Sequence, residues 1–122
     1  MTQRIFTTEF TFYKYPDSMA ELIELGLVDL NRWRLMSKDE INTRYDGLCE
    51  RYPTRRLFPF AKRDDNDDIA CIEEEKEKKV QIIHDFSSSG WEQVEEYDDF
   101  WTWFEMAIRT MIDFYRLEEE IE

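Results

Sequence analysis

The chain reads as an α+β protein: a mostly antiparallel sheet with a three-strand meander, covered by helices and ending in a long C-terminal helix. Three observations carry this expectation. Residues 57–86 hold three short apolar runs separated by strongly polar turns, the pattern of buried strands paired in order. Residues 100–115 set Phe100, Trp103, Phe104, Ala107, Ile108, Met111, Phe114 and Tyr115 on one helical stripe. The 122 residues, 42% hydrophobic and 16% aromatic, suffice for one domain to bury a core without metal or disulfide.

Each element has its own local signal. Ile5 to Tyr15 alternates, with Phe6, Phe10 and Phe12 on one side and Thr7, Glu9 and Thr11 opposite, so a first strand is expected there. Ser18 to Leu25 is expected to be a short helix presenting Met19, Leu22 and Ile23, stopped by Gly26. Asn31 to Met36 fits a strand with Trp33 and Leu35 inward. Ser37 and Glu40 have capping-box spacing. The helix they open repeats Ile41, Tyr45, Leu48, Cys49 and Tyr52 on one face and ends at Pro53.

The meander follows. Its strands are Leu57 to Arg63, Ile69 to Ile72 and Val80 to Phe86, with turns at Asp64 to Asp68 and Glu73 to Lys79. Asp98 or Asp99 caps the last helix. Glu118 to Glu122 is expected to fray, because carboxylates oppose the dipole at that end.

Charge is unevenly placed. The formal net charge is −13. Residues 31–63 nevertheless carry nine Lys or Arg against four Asp or Glu, whereas residues 92–122 carry two against eleven. Such a surface repels nucleic acid and anionic membrane and suits a basic protein partner. No apolar run approaches the roughly 20 residues of a membrane span, and the first residues lack a signal-peptide core, so a cytoplasmic location is expected. Cys49 and Cys71 both sit in apolar patterns and read as reduced thiols.

Catalytic equipment is sparse, and the expectation is a protein that is not an enzyme. His84 is the single histidine. Asp85 follows it directly, and adjacent strand residues point to opposite faces, so Asp85 is poorly placed to orient His84. A small hydrolase using His84 and nearby carboxylates is the alternative from another class. Asp64, Asn66, Asp68 and Glu75 match positions of a calcium loop, but Ile69 stands where the sharp turn needs glycine. A solvated hairpin turn fits better, with no metal or cofactor expected.

Contact residues are more visible. Trp91 follows Ser87-Ser88-Ser89-Gly90 and precedes Glu92, Glu95 and Glu96. Exposed, it would have the anatomy of a binding hot spot; turned inward, it would plug the core beneath the loop. Asp64, Asp65, Asp67, Asp68, Trp91, Glu92, Glu95 and Glu96 are the candidate partner-binding residues. Trp101 lies off the helix stripe and is a further contact candidate; it fits packing against a neighbouring loop equally well.

The run from Leu57 to Trp103 resembles the SUKH superfamily, a bacterial immunity-protein fold also found in a fungal cell-wall regulator and in viruses. The matching features are Phe58-Pro59-Phe60-Ala61, the acidic turn before Asp67-Asp68-Ile69-Ala70-Cys71-Ile72, Val80 to Phe86, and the helix with Phe100, Trp103 and Phe104. The segment from Leu25 to Pro53 fits more loosely. In place of the usual N-terminal helix stands the aromatic segment around Phe6. The resemblance implies a protein that neutralises a cognate toxin, a nuclease in many cases, by occluding it. A regulatory adaptor of the same fold is the nearer alternative.

Overall fold

The computed structural model describes residues 17–121, so the strand expected at Ile5 to Tyr15 lies outside the described residues. Helix α1 (Asp17–Glu24) buries Met19 and Leu22. It stops as its sequence predicts. Gly26 takes φ +75°, its N–H bonds the Ile23 carbonyl, and the Leu27 N–H bonds the Leu22 carbonyl, which together form a Schellman motif.

Strand β1 (Trp33–Leu35) buries Trp33 and Leu35, as the alternation requires. It is reached through a tight reversal in which Asn31 and Arg32 both have positive φ. Leu30 and Trp33 face each other across this turn, and the Leu35 N–H bonds the Val28 carbonyl. Helix α2 (Lys38–Arg51) opens on Ser37 with both bonds of the capping box and closes with the Tyr52 N–H on the Leu48 carbonyl.

The remaining strands form the meander: β2 (Leu57–Arg63), β3 (Asp68–Glu73), β4 (Val80–His84) and β5 (Gln93–Tyr97). The sheet order is β1-β2-β3-β4-β5, and every neighbouring pair is antiparallel. This is the α+β architecture expected, with one more strand at its end. Pro59 lies inside β2, where it would normally break a ladder. The sheet accommodates it with a bulge between Pro59 and Ala61, and β1 pairs only from Ala61 onward.

Helix α3 (Phe100–Ile121) is capped by Asp99, which accepts from both the N–H and the hydroxyl of Thr102. Its helical span runs on through Ile121, past the point where fraying was expected. Phe100, Trp103 and Ala107 are buried against the sheet. Trp103 meets Trp33 edge-on at 5.7 Å and Phe60 at 5.1 Å between centroids. These aromatic contacts join α3, β1 and β2 into one core.

Candidate functional site

In an up-and-down meander, alternate connections fall at the same end of the sheet. The β2–β3 turn and the β4–β5 loop therefore lie together. Two contacts tie them: the Asp85 N–H donates to the Asp67 carbonyl at 3.0 Å, and His84 Nδ1 lies 2.7 Å from Asp68 Oδ1. The structure thus brings Asp67, Asp68, Trp91 and Glu92 to one region. Glu95 and Glu96 pair with Ile82 and Gln81, farther along β5.

The acidic candidates differ sharply in availability. Asp64 accepts from Arg34 Nε at 3.2 Å, and Asp65 accepts Nε and Nη2 of Arg63 at 2.8 Å each. That bidentate contact holds the Asp65 carboxyl below its usual range. Glu92 is buried, accepting from Arg55 Nη1 at 2.9 Å and from the Gly90 N–H at 2.7 Å. Burial pushes the Glu92 carboxyl upward, and the Arg55 contact together with backbone N–H donors, Gly90 among them, overcomes it. Glu96 accepts from Gln81 at 2.8 Å and Lys79 at 3.3 Å. Asp67 and Glu95 are exposed side chains.

Trp91 resolves outward, 81% exposed. Trp101 is also exposed, edge-on to the rings of Phe100 and Phe104. The polar turn at residues 64–67 is a hairpin connection stabilised by Asn66, whose Oδ1 accepts from the Asp68 N–H at 2.8 Å. Among the described residues no group of three or more His, Cys, Asp or Glu converges as a metal cage would. Cys49 and Cys71 are free thiols, and burial pushes Cys71 well up.

The loop of residues 85–92 is pinned at several points. The Asp85 side chain is fully buried and accepts Arg51 Nε and Nη2 at 2.7 Å each and Arg44 Nη1 at 2.9 Å. Burial works to raise its pKa, and the two arginines more than offset that, leaving it lowered. The Tyr52 hydroxyl donates to the Ser87 carbonyl at 2.8 Å, and the Trp91 N–H donates to the Ser88 carbonyl. Arg55 completes the clamp, joining Glu73, Glu92 and Gln93.

Asp85 therefore serves the arginines of α2 and not His84, as the alternation rule requires. His84 keeps an exposed ring beside Asp68. Phe86, expected to end the third meander strand, lies beyond β4, which stops at His84; it is 60% exposed with φ +67° and lies 4.2 Å from the Arg51 guanidinium. A bulky residue in that backbone region is held there by its surroundings. Arg44 and Arg51 were also missed; the readable signal was Gly47, an odd residue within a helix. No protein-family model, curated protein or solved structure matches this chain. Among the described residues no helix is long and apolar enough to cross a membrane.

Proposed function

We propose that the chain is a non-enzymatic binding protein of the immunity or antitoxin kind, which neutralises a basic toxin domain by covering its working surface. One observation carries the reading: Trp91 projects into solvent from a loop whose backbone and flanking carboxylates are already fixed. A large aromatic on a preorganised loop loses little entropy on binding, which is the anatomy of an interface anchor.

Charge supports the same reading. The net charge of −13 would speed encounter with a cationic partner, and a nuclease must present cations to phosphates. Asp67 and Glu95 supply exposed negative charge, while Glu92 acts from beneath by holding the loop. The test is to search the genes neighbouring this one for a toxin domain and to measure inhibition of that domain. Wild-type protein should abolish its activity at equimolar ratio. Reversing Asp67 and Glu95 to lysine should slow association and flatten its salt dependence. Unaltered toxin activity in the presence of excess protein contradicts the proposal.

A further inference from the structure

We infer that the groove between α2 and Phe86 receives an acidic side chain of the partner protein. This rests on the binding role above and adds to it a contact of opposite charge. The groove holds about 460 Å³, walled by Thr43, Arg44, Arg51, Lys62 and Phe86, with the Arg51 guanidinium lying over the backbone of Gly47.

Exposure is arranged asymmetrically across it. The Asp85 carboxylate is wholly buried, while the Arg44 and Arg51 side chains remain 22% and 29% exposed. The negative charge therefore lies inside, and guanidinium edges face the groove. Two guanidinium groups share that single carboxylate. Arg44 gives it only Nη1, which leaves donors of a planar fork matched to a second carboxylate. Lys62 Nζ stands 4.0 Å from Glu40, whose two oxygens are already taken by Arg34.

The rim sets the charge of the occupant. Asp39 and Glu40 border the same groove. A phosphate, with a charge of about −1.5 to −2, would be repelled by them more strongly than a carboxylate of −1. The Phe86 ring lies 4.2 Å from the guanidinium of Arg51 and gives the groove an apolar wall, beside which a docked carboxylate would lose water and pair more strongly. An aspartate or glutamate on a protein segment fits these terms, and it would dock beside the loop that carries Trp91.

The experiment follows amide and arginine Nε–H signals of the isotope-labelled chain by NMR at low salt. The probes are acetyl-Gly-Glu-Gly-amide, its lysine counterpart and inorganic phosphate. The glutamate peptide should shift Gly47, Phe86, Arg44 and Arg51 saturably. Arg44→Gln and Lys62→Gln should each weaken that binding about tenfold, and Trp91→Ala should leave it unchanged. Independence from Trp91 separates this result from the fate of the toxin-binding proposal. Equal shifts with the lysine peptide, a response to phosphate with the glutamate peptide inert, or wild-type affinity in Lys62→Gln would overturn it.

Discussion

The guanidinium of Arg51 occupies the space that a side chain on Gly47 would need: a Cβ there would stand 2.6 Å from Nη2 and 2.8 Å from Nη1. The missing side chain lets Arg51 fold back across its own helix and reach Asp85. Glycine inside a helix costs about 1 kcal/mol relative to alanine, so this position forgoes helix stability for a salt bridge. Gly47→Ala should regain that propensity but displace Arg51, losing charge-assisted bonds worth about 1.5–3 kcal/mol. The expected net is a loss of about 1 kcal/mol, read by urea unfolding. A more stable Gly47→Ala protein would mean that the Arg51 contact contributes little.

Asp85 is the keystone of the loop. Asp85→Asn preserves its shape but leaves Arg44 and Arg51 without their counter-charge. Breaking a buried pair costs about 3–5 kcal/mol, and because both arginines are partly exposed the lower end applies here, about 3 kcal/mol. Exchange of the Phe86 amide, which donates to Asp85 Oδ1 at 2.8 Å, should quicken in the same variant. Wild-type stability together with wild-type exchange would contradict this role.

Acid should weaken these same contacts. Glu40 is lowered from 4.5 to about 2, chiefly by its bonds to Arg34, and Asp85 and Glu92 are also lowered. Each carboxyl binds its proton less readily folded than unfolded. Their stabilisation is therefore complete above the unfolded values near 4 and is lost as pH falls through the folded ones. Relief of repulsion among exposed carboxylates acts in the opposite direction, so the clean readout is a difference. The stability advantage of wild type over Asp85→Asn should hold at pH 6 and shrink by pH 3. An advantage that grows in acid would refute the assignment.

Much of the fold was legible because its signals are local. Ser37 with Glu40, Gly26 and the stripe opened by Phe100 each act within a few residues, and the structure realises them as far as Met111; Tyr115, expected on the same stripe, is half exposed. Strand β5 was missed for a physical reason. Among the described residues Gln93–Tyr97 is an edge strand, with four exposed positions out of five, and charge on an edge discourages pairing with other chains while hiding the strand's alternation. The candidate surface was legible only in part. Trp91 stood out by its loop and the carboxylates after it. The inward turn of Glu92 depends on Arg55, 37 residues earlier in the chain, and the Arg44–Arg51–Asp85 cluster depends on α2 crossing to the end of β4. Pairings of that span have no sequence period to reveal them.

The most direct test of the account is the affinity of a toxin domain that the protein inhibits for wild-type protein and for Trp91→Ala, measured by calorimetry beside the thermal midpoint of each. An exposed side chain on a loop pinned by other residues should leave stability within about 0.5 kcal/mol. Loss of an interface anchor should cost at least about 2 kcal/mol of binding, roughly thirtyfold in Kd. Equal affinity of the two proteins, at equal stability, would contradict the claim that Trp91 is the anchor.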